Sequence, residues 1–222
     1  EVATAITCAR VRVRVEDRRG RSAEGWGETP LSVAWVWPGT LSYEARLAEI
    51  KKLCARLVPA WAGFAEWGHP IEIGHRFAHG ALPELLAATN AASGLPEPMP
   101  LLGALVACSA FDIAVHDAYG VLHGVPVYHT YGPEHMNEDL ACFLEPAAGS
   151  RVSFRGRYPR DFLVRPPSRL PAWHLVGGKD PVDSGELTGA EPRDGHPVLL
   201  RDWIRQDGLK CLKVKQIGRA HV

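Results

Sequence analysis

Residues 4–15 alternate, with Val11, Val13 and Val15 set against Arg10, Arg12 and Arg14. A period of two with polar partners predicts a half-buried antiparallel strand. Asp17 to Arg21, with Gly20, supplies a turn, and Ala23 to Glu28 reads as the return strand of a hairpin. Pro30 and the Pro38-Gly39 pair mark a long loop after it. The period then changes. Leu47, Ile50, Leu53, Cys54 and Leu57 recur at helical spacing behind a candidate N-cap, Ser42, with Glu44 in the first turn and Pro59 expected to stop the run. Short helices are expected near 70–79 and 83–92, before Pro96, Pro98 and Pro100 break the chain.

Leu101 to Leu122 is the clearest helix. It is apolar nearly all round, interrupted by Asp112, His116 and Asp117, and such a helix is expected to be buried. Gly124 and Pro126 end it. Beyond residue 135 the texture changes. Short apolar runs at 139–145 and 172–177 flank a Gly/Arg/Pro-rich stretch, 147–171. A short helix is expected over Pro197 to Arg205, closed by Asp207-Gly208, and a strand over Cys211 to Lys215. Strand, helix and strand joined by tight connections imply a β/α unit with parallel strands.

Composition narrows the function classes. Hydrophobic residues make up 46% of the 222 positions, enough for a buried core. Lys+Arg and Asp+Glu number 25 each, so no net charge draws the chain toward nucleic acid or an anionic membrane. The five cysteines are widely spaced with no C-x-x-C, which argues against a disulfide framework or zinc site and for a reducing, cytoplasmic setting. The longest uninterrupted apolar stretch, Leu101 to Ala110, is short for a bilayer span. No G-x-S-x-G elbow occurs, and Gly177-Gly178-Lys179 lacks the remainder of a phosphate loop. His69, His75 and His79 could be weighed as metal ligands, but no carboxylate or cysteine completes the set, and packing roles are expected.

The ends carry their own signal. The chain opens at Glu1 almost directly into a strand, so a natural start is expected upstream. Gln216 to Val222 is what the sequencing adapter AGATCGGAAGAGCACACGTC encodes after a leading C, so natural sequence is expected to stop at Lys215.

Three segments carry a family resemblance. Ala114-Val115-His116-Asp117-Ala118-Tyr119-Gly120-Val121-Leu122-His123-Gly124-Val125-Pro126-Val127-Tyr128 resembles, without a gap, the A-L-W-D-L-x-G-K-x-x-G-x-P-V-Y hallmark of the enolase superfamily capping domain, and Gly132 also fits. Glu24-Gly25-Trp26-Gly27-Glu28 resembles that family's G-x-G-E strand end, and Leu212-Lys213-Val214-Lys215 its K-x-K barrel strand. His116 stands where the pattern has Trp, and Val121 where it has Lys. The resemblance is to the mandelate racemase and muconate lactonizing branch. It implies an α+β capping domain of antiparallel strands plus helices over 1–135, with its first strand missing. An insertion and the start of a truncated (β/α) TIM-type barrel would follow over 136–215, then the adapter segment 216–222.

The resemblance also implies chemistry. These enzymes remove a proton from the carbon next to a carboxylate, which needs a base at that carbon and Mg2+ on the carboxylate oxygens. Residues i and i+2 of a strand share a face, so Cys211, Lys213 and Lys215 point one way, with Lys215 at the strand exit where barrel sites lie. Two ammonium groups held close disfavour each other's charge, which a lysine base requires. Lys215 is thus the expected base, with Lys213 holding the substrate carboxylate. The loop Thr29 to Thr40 corresponds to a specificity loop, in which Trp35 and Trp37 could close over substrate or pack between domains. The parent is expected to be a homo-oligomeric racemase, epimerase, dehydratase or cycloisomerase acting on a small carboxylate. Its metal ligands would lie on later barrel strands, leaving this chain inactive alone. A non-catalytic binding or assembly protein built on the capping fold is the other expectation.

Overall fold

The computed structural model describes residues 5–177 and 180–215. It divides into two compact units, the first running to Leu163 and the second from Val164. The architecture is mixed α+β, and no closed barrel is present among the described residues. The adapter-like segment and the Gly178-Lys179 pair lie outside the described residues.

The first unit opens with an antiparallel hairpin of β1 (Cys8–Glu16) and β2 (Ser22–Pro30). Its register places Arg10 opposite Glu28, Arg12 opposite Trp26 and Arg14 opposite Glu24 on the open face. Asp17 closes the turn by accepting the backbone N–H groups of Arg19 and Arg21. Strand pairing continues further than the expected Glu28, because β2 runs on to Pro30 and Leu31 N–H still reaches the Thr7 carbonyl. The expected loop that follows is also partly structured. Its apolar residues form α1 (Val33–Val36), and Leu31, Val33, Val36 and Trp37 join the core.

Helix α2 (Tyr43–Ala62) begins as expected, with the Ser42 hydroxyl accepting the Ala45 N–H. Pro59 does not stop it. A proline in the last turn forfeits one intrahelical bond, and α2 continues through Ala62 on the packing of Trp61 against Phe77, whose ring centroids lie 4.1 Å apart. Helices α3 (Pro70–His79) and α4 (Ala81–Ser93) follow. Ile50, Leu53 and Leu57 of α2 meet Phe77 of α3 and Leu82 of α4 in one cluster.

The spine is α5 (Leu101–His123), ended by Gly124 in a left-handed conformation. By length and composition α5 could cross a membrane, but in this structure it forms one wall of the core. The hairpin lies along one side of it, and α2, α3 and α4 lie along another. A third side has no covering element among the described residues, so Leu101, Leu102, Leu105 and Ile113 are exposed and the expected burial on every side is not met there. The hairpin approaches closely because Gly25 and Gly27 of β2 sit directly on the backbone at Ala110, Ala114 and Ala118. Two glycines facing small residues let strand and helix backbones touch. Residues 136–163, grouped by sequence with the following region, lie within the first unit.

The second unit contains β3 (Trp173–Val176), α6 (Leu200–Asp207) and β4 (Cys211–Val214). The two strands pair in parallel, Leu175 beside Lys213 and Val176 beside Val214, and Lys215 N–H extends the ladder to the Val176 carbonyl. Gly208, in a left-handed conformation, turns the chain from α6 into β4. Parallel strands require such a crossover, here supplied by the segment containing α6.

Candidate functional site

The expected base and its helper lie at the exit of β4. Lys213 is within the strand and Lys215 immediately follows it, and both are exposed. Their spacing of two places them on one face of an extended segment. The sheet here has two strands, so strand geometry alone does not distinguish an inner from an outer face. Leu175, the register partner of Lys213, is also largely exposed.

The three specificity-loop residues have different environments. The Thr29 hydroxyl pairs with that of Ser109 at 2.8 Å, tying β2 to α5. Trp37 is 2% exposed and belongs to the core, whereas Trp35 is 66% exposed. Of the two indoles, only Trp35 has its surface free for a ligand.

The first unit contains a groove of about 780 Å³ beside β1. Arg10 to Arg18 line it without a break, so the groove follows the strand edge as well as one face. Its apolar lining includes Trp61, Phe64, Phe111, Val115 and Leu122. β1 pairs only with β2 among the described residues, leaving its other edge without a strand partner.

A histidine–tyrosine cluster gathers at the start of α3. His69 lies 5.0 Å by ring centroid from Tyr119, 5.3 Å from Tyr131 and 6.2 Å from His116. His123 and His135 adjoin at 5.1 Å. The His75 and His79 rings lie 4.1 Å apart in a tilted arrangement, with Phe143 against His75, and do not join His69. Sequence reading singled out His69 without its partners. The available signal was the spacing of His116, Tyr119 and His123, which places them along one helix face.

Beside this cluster, Glu72 is fully buried and accepts four hydrogen bonds, from His69 N–H, Asn137 N–H, the Asn137 side-chain amide and Glu138 N–H. Burial acts to raise its proton affinity, but these donors outweigh it and hold the carboxyl below the usual range. Arg76 pairs with Glu138 at 2.6 Å alongside.

Comparison with protein-family models, curated proteins and solved structures finds no match to this chain.

The strand segment Glu24–Glu28 and the helix segment around Asp117 are joined physically. Asp117 accepts the Trp26 N–H at 2.8 Å, joining the Gly25-Trp26-Gly27 strand to α5. Among the described residues, no group of three or more His, Cys, Asp and Glu side chains is placed to hold a metal ion. Thiol chemistry has little support in the core. Burial pushes Cys54 and Cys108 up to about 11, keeping both as thiols at neutral pH.

Proposed function

We propose that the chain is part of an enolase-superfamily enzyme that abstracts the α-proton of a carboxylate substrate. The observation that carries this reading is the parallel β3–β4 pair, with Lys215 at the exit of β4 and Lys213 two residues before it. Parallel strands joined through a helix are the building unit of β/α barrels, whose chemistry lies at the strand exits. Two further features support the reading. The glycine-spaced strand and the long helix that carry the resemblance lie in direct contact. The edge of β1 that the groove follows has no strand partner among the described residues, and the resemblance implies a further strand in the capping domain.

In this reading a neutral Lys215 amine takes the proton from the carbon beside the carboxylate. The C–H bond breaks, an N–H bond forms, and the electron pair moves onto the carboxylate as an enolate. Lys213, charged, holds the carboxylate oxygens where that charge develops. Magnesium would stabilise the same oxygens. Its ligands would come from later barrel strands, and no step here is assigned to it.

The test uses a chain carried on through the following barrel strands. It is incubated in D2O with Mg2+ and carboxylic acids bearing an α-hydrogen, and exchange is followed by proton NMR. Lys215→Ala is expected to lower exchange by about 100-fold or more, the scale of a general base. Exchange that survives the substitution overturns the assignment of Lys215. The 222-residue chain alone is expected to show no magnesium-dependent exchange.

A second reading, a non-catalytic binding or assembly protein, draws on the exposure of both lysines. The same extended chain separates the two readings. Carboxylates at the next three strand ends favour the enzyme, and their absence favours the binding protein.

A further inference from the structure

The hydrogen bonds around His69 fix the position of each proton. The Thr130 hydroxyl donates to the Val127 carbonyl at 2.5 Å, so its oxygen is free to accept. His69 Nε2, 2.8 Å from that oxygen, is therefore the donor and carries the ring hydrogen. Nδ1 then accepts the Ile71 N–H at 3.2 Å, capping the start of α3. His69 and Thr130 are both fully buried. A second ring proton would face the Ile71 N–H, and the network has no acceptor for it.

The geometry points to an acid-sensitive latch: a neutral His69 joins the segment around Val127–Thr130 to the start of α3, and a second proton, placed at Nδ1 against the Ile71 N–H, breaks the cap and charges a buried ring, which is relieved when the segment packed against it opens to water. The surroundings reinforce the effect. From α5, His116, Tyr119 and His123 face the ring. From the clasped segment come Tyr131 and His135, and from α3 comes Glu72. Of these, only the Glu72 carboxylate favours a cationic His69, while the neighbouring histidines oppose it as they gain charge. Burial first, and then His116, hold His69 down to about 4, below its ordinary 6.5.

The sign of the pH dependence follows. The fold favours the neutral ring, so the stability supplied by the latch is complete above about pH 6.5. It declines as pH falls from there toward about 4. The Glu72 clasp on Asn137 and Glu138 weakens in the same direction. Its folded proton affinity lies below 4.5, so it remains charged while the His69 penalty accumulates.

Hydrogen exchange read by mass spectrometry on the full chain, between pH 7.5 and 4.0 and corrected for intrinsic rates, tests this. Peptides covering 127–138 are expected to lose protection with a midpoint between about 4 and 6.5, while α2 peptides keep theirs. His69→Asn preserves a capping oxygen and does not titrate. It is expected to move that midpoint down by at least about one pH unit, roughly half the interval between the two proton affinities. Identical midpoints in the parent and His69→Asn chains overturn the latch. Should the variant fail to fold, NMR titration of the His69 ring in the parent chain decides. Titration below about pH 5, coincident with loss of protection, supports the latch. Titration near 6.5 with the segment still protected overturns it.

Discussion

Gly27→Ala is expected to destabilise the first unit by about 3 kcal/mol or more, because an added methyl group meets backbone that cannot yield cheaply. A Cβ at Gly27 would overlap the Ala110 carbonyl oxygen and stand 2.7 Å from the Ala114 nitrogen. Both atoms belong to the ladder of α5, so relief requires the hairpin to lift from the helix. Lifting it uncovers the face that β2 shares with α5 and strains the Trp26–Asp117 hydrogen bond. Chemical denaturation at pH 7 measures the cost as a fall in the unfolding midpoint, and thermal unfolding should drop by about 10 °C. Glu28→Ala, on the opposite face of the same strand, supplies the control. Its ion pair with Arg10 is solvent-exposed, and its loss is expected to change stability by less than about 1 kcal/mol. Equal effects from the two substitutions would refute the close-approach account.

Glu72→Ala is expected to be at least as costly, about 4 kcal/mol, for a different reason. Removing the carboxylate leaves the N–H groups of His69, Asn137 and Glu138 and the Asn137 amide without their acceptor, in a position from which water is excluded. Orphaned buried donors cost more than their hydrogen bonds contribute. Glu72→Gln keeps one carbonyl oxygen but turns an amide toward N–H donors, so an intermediate loss of about 2 kcal/mol is expected. The parent's dependence on this group has a defined sign. The folded carboxyl is held below 4.5, so its contribution is complete above that value and disappears as pH falls through the folded value. Denaturation midpoints at pH 7 should therefore rank the parent above Glu72→Gln and Glu72→Ala, with the differences shrinking in acid. Differences undiminished at low pH would show that shape, and not charge, dominates.

Local periodicity was legible in the sequence. The alternation of valine and arginine over β1, the Ser42 cap, the run of Leu101 to Leu122 and its Gly124 stop all correspond to elements in the structure. The strand–helix–strand order also anticipated parallel pairing of Trp173–Val176 with Cys211–Val214. Local signals were weaker where packing outvoted them. Pro59 reads as a stop, yet α2 passes through it because Trp61 stacks on Phe77. Residues 31–37 read as loop, yet their apolar side chains find the core and order a helical turn.

The candidate sites divide along the same line. Lys213 and Lys215 share a strand face by spacing alone, since alternation is a property of extended backbone. The separate environments of Trp35 and Trp37 could not be read that way, because two positions two apart in an irregular turn have no fixed relation to the core. The sequence by itself determined most of the elements and their order, because these depend on neighbours along the chain. Tertiary structure alone decided which side of α5 is uncovered among the described residues, why Gly25 and Gly27 must be glycine, and that His69 and Glu72 grip residues some 60 positions away. Burial, and the hydrogen bonds that burial makes obligatory, depend on what arrives from elsewhere in the chain.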